Sequence, residues 1–180
     1  LTHRDYLWTT YINDYLMDEN SRIFYLIKTL AQGENLISFN GSNVELVSIL
    51  FSWLLTSSNI VLRDTASRTL IEILKQHFYL CKSLLLMFEN VNDPYVIQRL
   101  YAIVFGACTK MREEHHSEYH ELAIYVYNTI FDKDLVYPDI LLREYAKLII
   151  ELYMHQYHDL EEINIEAIYP PYKSVPIPTI

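Results

Sequence analysis

The sequence predicts an all-α protein of about eight helices stacked as antiparallel pairs, followed by an extended proline-rich tail. Three observations carry this expectation. Glycine occurs only three times in 180 residues, at Gly33, Gly41 and Gly106, whereas sandwiches, barrels and nucleotide-binding α/β folds use glycine freely in turns and phosphate loops. Apolar residues recur at three- and four-residue steps over most of the chain, the period of one helix face. Three of the helical stretches also share a common residue pattern, described below.

The first helix is expected from Arg4 to about Met17, where Tyr6, Leu7, Trp8, Tyr11, Ile12, Tyr15 and Leu16 form an apolar face. Ser21 to Ala31 supplies a second, with Ile23, Phe24, Ile27 and Leu30 inward. A loop from Gln32 to Asn43 holds two of the three glycines. Val44 to Leu55 is apolar except for Glu45, Ser48 and Ser52, which fall on one narrow stripe, so this helix is expected to be buried on most sides. Thr56-Ser57-Ser58-Asn59 is rich in N-cap residue types, and a fourth helix follows from about Ile60 to Gln76. Phe78 to Phe88 forms the fifth.

Asn92-Asp93-Pro94 is a start signal for the sixth helix. Asp93 can cap orphan amides, and Pro94 stands at the first helical position, where its missing N–H costs nothing. The apolar face of Val96, Leu100, Tyr101, Val104, Cys108 and Met111 carries this helix to about Glu113. A seventh runs from about Ser117 to Phe131, and an eighth from Pro138 or Asp139 to about His155. From Asp159 onward lie four of the six prolines, which exclude a continuous helix. The expected organisation is therefore a helical domain over residues 1–158 and a tail or linker over 159–180.

Leu62-Arg63-Asp64-x-Ala66, Ile97-Gln98-Arg99-x-Tyr101 and Leu142-Arg143-Glu144-x-Ala146 share a pattern, with Leu70, Phe105 and Ile150 four residues farther on. Their spacings of 35 and 45 residues fall around those of HEAT and armadillo repeats. In such arrays no helix pair buries its apolar face alone, and stacking of neighbours into an α-α superhelix completes the core.

Composition excludes several function classes. Hydrophobic residues make up 51% and charged residues 21%, too apolar for a disordered chain. The net charge of −9, with no uninterrupted Lys/Arg cluster, argues against direct binding of nucleic acid. No apolar run is long enough to span a bilayer, and the N-terminus lacks a signal-peptide pattern. Cys81 and Cys108 stand in apolar helical stretches without the spacing of a disulfide framework, which fits a reducing, cytoplasmic setting. Leu1 in place of an initiator methionine and the apolar end Pro178-Thr179-Ile180 fit a piece of a larger protein.

Candidate sites are few. Arg63, Asp64, Arg99, Arg143 and Glu144 are the most organised charges, read as inter-repeat pairs that hold neighbouring helices in register rather than as a binding ladder. Glu113 to Glu121 has metal-ligand composition, and His116 and His120 share a helix face at a spacing that suits zinc. The H-E-x-x-H order is absent and no third ligand is evident, so a solvated helix start is the preferred reading and no metal or cofactor is assigned. Six of sixteen tyrosines (Tyr119, Tyr125, Tyr127, Tyr137, Tyr145, Tyr153) fall in the last two helices and their connection, as expected of semi-buried seams between helices. Tyr169-Pro170-Pro171-Tyr172 reads as a segment packed back on the last helix or as a link, in preference to a proline-rich ligand for another domain. No phosphate-binding loop or nucleophile elbow is present, so no catalytic residue is assigned.

Leu54-Leu55-Thr56-Ser57-Ser58-Asn59, Leu62-Arg63-Asp64-Thr65-Ala66, Val91-Asn92-Asp93-Pro94-Tyr95-Val96, Arg99-Leu100-Tyr101, Leu141-Leu142-Arg143-Glu144-Tyr145-Ala146 and Tyr169-Pro170-Pro171-Tyr172-Lys173-Ser174 together resemble the helical-repeat region of large bacterial STAND-type NTPases. Arg4-Asp5 with Trp8 fits the same pattern. The resemblance implies a non-catalytic segment of an antiviral-defence sensor, whose array binds a viral protein while an ATPase lies elsewhere in the parent chain. The alternatives are a general HEAT-like adaptor with a host protein partner and, less favoured, a metal-dependent enzyme using His116 and His120.

Overall fold

The computed structural model describes residues 2–16, 21–31, 41–111 and 113–173. These residues are all-helical, with eight α-helices, two short 3-10 turns and no strand. The helices are α1 (Thr2–Leu16), α2 (Arg22–Ala31), α3 (Gly41–Leu54), α4 (Ile60–Gln76), α5 (Leu80–Phe88), α6 (Pro94–Cys108), α7 (His116–Ile130) and α8 (Ile140–Tyr157). The chain divides into two compact units, Leu1–Ile73 and Leu74–Ile180.

In the first unit α1 packs on α2, with Ile12, Ile27 and Leu30 buried. Tyr6, Leu7 and Tyr11 remain exposed because the apolar residues of α1 cover a wider arc than one neighbouring helix occupies. Ile23 and Phe24, also expected inward, lie outside the described side chains, as does the expected loop up to residue 40. Helix α3 begins at Gly41, three residues before the sequence expectation.

Ser48 and Ser52, expected on the polar stripe of α3, are fully buried. Each hydroxyl donates 2.8 Å to the carbonyl one turn back, on Val44 and Ser48 respectively, and so needs no water. Asn59 starts α4 as expected: its Oδ1 accepts from the amides of Val61 (3.0 Å) and Leu62 (3.2 Å). Leu62, Ala66, Leu70 and Ile73 then form the buried face of α4 in this unit.

The second unit contains two helical hairpins, α5 with α6 and α7 with α8. They stack layer on layer, α5 against α7 and α6 against α8. Asp93 caps α6 by accepting from the amides of Tyr95 (3.1 Å) and Val96 (3.2 Å), and Pro94 opens the helix. Asp139 caps α8 through the Leu142 amide at 2.9 Å. Ala107, Ala123 and Ala146 are fully buried, and their small side chains allow close approach of the helices among Leu100, Val104, Leu122, Val126, Leu142 and Ile150.

Helix α6 stops at Cys108, short of the expected Glu113. The apolar period runs on to Met111, but the last turn tightens. The Thr109 hydroxyl donates to the Gly106 carbonyl at 2.8 Å and the Lys110 amide to the Ala107 carbonyl at 3.0 Å, which satisfies C-terminal carbonyls locally.

The tail folds back on the second unit as far as residue 173. Asn164 caps the 3-10 turn Ile165–Ile168 by accepting from the Glu166 amide (3.1 Å), and Ile163 and Ile168 are buried. The Tyr172 hydroxyl donates to the Ile168 carbonyl at 2.7 Å, its ring lies 6.1 Å from that of Phe131, and the Arg143 guanidinium sits 4.9 Å from its centre. The Val136 amide donates to the Lys173 carbonyl at 2.7 Å. Tyr169-Pro170-Pro171-Tyr172, whose Pro170–Pro171 bond is cis, thus packs against α8 and the α7–α8 loop. The expected extension around Pro176 and Pro178 lies outside the described residues.

Candidate functional site

A group of titratable side chains in the second unit lies between the first turns of α7, the end of α8 and the start of the tail. Residues 116, 119 and 120 share a face of α7, and 153 and 157 share a face of α8, because three- and four-residue steps align on a helix. Tyr119 and Tyr153 are fully buried and meet edge to face at 5.0 Å and 88°. The His116 ring lies 4.3 Å from Tyr157 and stacks at 5.9 Å on Tyr153. His158 ends α8 in the left-handed conformation (φ 55°), a region that His adopts more readily than most non-glycine residues. That reversal returns Asp159 toward the helix it has just left.

Asp159 then joins three elements. Its Oδ1 accepts from the Tyr153 hydroxyl at 2.7 Å, and its Oδ2 lies 3.0 Å from His116 Nε2. The same Nε2 is 2.9 Å from the Tyr153 oxygen. With Tyr153 donating to the carboxylate, both neighbours of Nε2 are acceptors, so Nε2 carries the hydrogen. The result is a closed ring of three hydrogen-bonded side chains, His116, Tyr153 and Asp159. Burial first, then the bond to Asp159, raise the Tyr153 phenol above its ordinary value.

His120 shares the face, as its spacing predicts, but its Nε2 lies 3.9 Å from Glu162, a different carboxylate from the one His116 meets. Among the described residues no group of three or more His, Cys, Asp or Glu is arranged to hold a metal ion. The arrangement ties the tail to the hairpin α7–α8, and its chemistry is that of a polar latch.

The Asp159 carboxyl lies below its ordinary value of 3.8 because the Tyr153 hydroxyl donates to it and, second, because His116 adds favourable charge. A carboxylate with a depressed folded value contributes stability that is present above the unfolded value and is lost as pH falls through the folded one. Hydrogen exchange at the amides of Ile165–Ile168 is therefore expected to quicken in the wild type as pH drops below about 4, after correction for intrinsic rates. Asp159→Asn is expected to lower protection already near neutral pH and to flatten the profile. Superimposable profiles for the two proteins would exclude the latch.

Arg63 Nη1 donates to the Ser57 carbonyl (3.0 Å) and Arg143 Nη1 to the Tyr137 carbonyl (2.7 Å), each reaching back over the cap of its own helix to the preceding loop. The Arg99 guanidinium sits 5.9 Å from the ring centre of Tyr95, one turn back on α6. Asp64 is half-buried on α4, and Glu144 pairs with Lys147 at 2.7 Å. A tie between the two hairpins comes from Gln98, whose amide lies 3.1 and 3.0 Å from the two Asp139 oxygens. Lys82 and Glu121, 2.8 Å apart, bridge α5 and α7 at the surface. Sequence reasoning included Gln98 in the shared pattern and Asp139 at a helix start, yet nothing in one sequence pairs them.

Cys81 and Cys108 are free and buried. Burial pushes the Cys108 thiol up to about 12 and raises Cys81 well above the ordinary thiol range, so neither is a thiolate at neutral pH. Tyr101 and Tyr119 are likewise held protonated, chiefly by burial.

The fold defines an all-helical protein whose second unit is a stack of two helical hairpins. No protein-family model matches the chain, and no curated protein or solved structure matches it significantly. No helix among the described residues is long and apolar enough to cross a membrane.

Proposed function

We propose that the chain is a non-catalytic protein-recognition or scaffold segment of a cytoplasmic helical-repeat protein. The observation that carries this reading is the stacking of α5–α6 on α7–α8, layer on layer, with Gln98 and Asp139 tying one hairpin to the next. Stacks of this kind offer extended surfaces to protein partners and transmit bending along the array. The closed ring of His116, Tyr153 and Asp159 supports a structural role for the polar cluster.

The sequence resemblance to the repeat region of STAND-type NTPases extends the proposal. On that reading the chain is part of the array of a larger antiviral sensor, its ligand is a viral protein, and nucleotide binds outside these residues. Capture on the immobilised chain, from phage-infected and uninfected bacterial lysates, tests both levels by mass spectrometry. A phage protein enriched only after infection, and bound by the purified chain in isolation, is the expected result. A host protein enriched equally from both lysates would overturn the sensor reading in favour of an adaptor. Failure of every captured protein to bind the purified chain would overturn the recognition reading itself.

A further inference from the structure

The loop end of the second unit carries an arrangement that the latch and the hairpin tie do not use. The α5–α6 and α7–α8 loops lie together there. Glu89 accepts from the Tyr125 hydroxyl at 3.3 Å, and Gln98 reaches Asp139. The first-turn residues after the caps at this end are exposed and apolar: Tyr95 (41% exposed) after Asp93, and Ile140 (72%) and Leu141 (54%) after Asp139. Leu135 in the adjoining loop is also exposed. The same register recurs in α4, where Ile60 and Val61 follow Asn59 and are exposed too.

Isolated exposed apolar residues need no explanation, but their recurrence at one position after three helix caps is a pattern. The charge around them has one dominant sign. Glu89, Asp132 and Asp134 are exposed, and Asp93 and Asp139 add two half-buried carboxylates, against two exposed cations, Lys133 and Lys173, the latter held beside the loop by the bond from the Val136 amide to its carbonyl. Arg143 is turned onto Tyr172 and the Tyr137 carbonyl, and Arg99 onto Tyr95. The positive helix starts that would otherwise invite an anion are covered, since Asp93 and Asp139 already accept from the first-turn amides.

We propose that this loop end docks a basic, amphipathic segment of a protein partner, its apolar residues on Tyr95, Leu135, Ile140 and Leu141 and its Lys or Arg residues against the acidic rim. The proposal rests on the recognition reading above and adds the surface and the chemistry of its ligand. Complementary charge selects this occupant. Nucleic acid and anionic membrane are repelled by the rim, and a second copy of the chain, itself at −9, would bring like charges together.

The test uses fluorescence anisotropy of a labelled amphipathic Lys/Leu helical peptide, and of its Glu/Leu counterpart, against the full chain. The Lys/Leu peptide is expected to bind, and Ile140→Ser with Leu141→Ser to weaken it by about tenfold. Asp132→Asn with Asp134→Asn is expected to weaken binding and to reduce its sensitivity to about 0.5 M salt. Glu45→Gln with Leu46→Ser, exposed positions on α3, serves as the control and is expected to leave affinity unchanged. All four altered side chains at the loop end lie at the surface, and circular dichroism confirms that each variant folds.

Equal effects of the loop-end and control substitutions would overturn the proposal, as would equal binding of the two peptides. Sedimentation showing a dimer that Ile140→Ser with Leu141→Ser dissolves would overturn it in favour of self-association. A partner captured from lysate that binds the loop-end variants as well as the wild type would overturn this surface while leaving the recognition reading standing.

Discussion

Tyr119→Ala is expected to destabilise the second unit by about 3–5 kcal/mol, read as a lower midpoint in urea unfolding followed by circular dichroism. The side chain is fully buried where α5, α7 and α8 meet, edge-on to Tyr153 at 5.0 Å and to Phe78 at 5.4 Å. Its hydroxyl donates to the Ile149 carbonyl at 2.9 Å, so α7 and α8 are joined through one residue. Truncation removes the ring and opens a cavity that stacked helices cannot fill by side-chain adjustment alone. Tyr119→Phe separates the two contributions. It keeps the ring and loses the hydrogen bond, and is expected to cost about 1 kcal/mol. Equal losses for the two variants would show that the hydroxyl, not the packing, dominates this seam.

The features of the fold that depend on neighbours in sequence were legible. Asp93 with Pro94 announces the start of α6, and the cap forms as expected. Asn59 and Asp139 likewise cap where their residue types allow. Stops were less legible, because α6 ends through Thr109 and Lys110, which look like ordinary helix residues, without a glycine or proline to mark the end. Burial of Ser48 and Ser52 was hidden for a related reason: a serine hydroxyl can be satisfied by its own helix and then behaves as a small core residue.

At the polar cluster, the shared face of His116 and His120 followed from spacing, but their ligands come from residues 159 and 162, brought near by the left-handed turn at His158. A single sequence does not reveal which histidine will take that conformation. The pattern built on Arg63, Arg99 and Arg143 shows the same boundary. Counted from their caps, Arg63 and Arg143 stand at one position and bond to the same kind of loop carbonyl, whereas Arg99 stands two residues farther along its helix and rests on Tyr95. Alignment by residue type sets Arg63, Arg99 and Arg143 side by side, whereas counting from the helix caps sets Arg99 apart.

Asp139→Ala is expected to cost about 2–3 kcal/mol, the sum of a lost helix cap and a lost bond from Gln98 to a charged group. One carboxylate serves both: Oδ1 accepts from the Leu142 amide at 2.9 Å while Gln98 Nε2 lies within 3.1 Å of both oxygens. Asp93→Ala, which removes a cap on α6, provides the reference and is expected to cost about 1 kcal/mol. Gln98→Ala removes the tie and leaves the cap of α8. If Gln98 and Asp139 hold the hairpins in register, the double variant is expected to fall short of the sum of the singles by about 0.5–2 kcal/mol in urea unfolding. Additivity within about 0.3 kcal/mol would mean that the tie is incidental and that apolar packing between α6 and α8 sets their register. Asp139→Asn discriminates further. It retains an acceptor for the Leu142 amide and weakens, without removing, the bond from Gln98, so its loss should fall below those of both Gln98→Ala and Asp139→Ala.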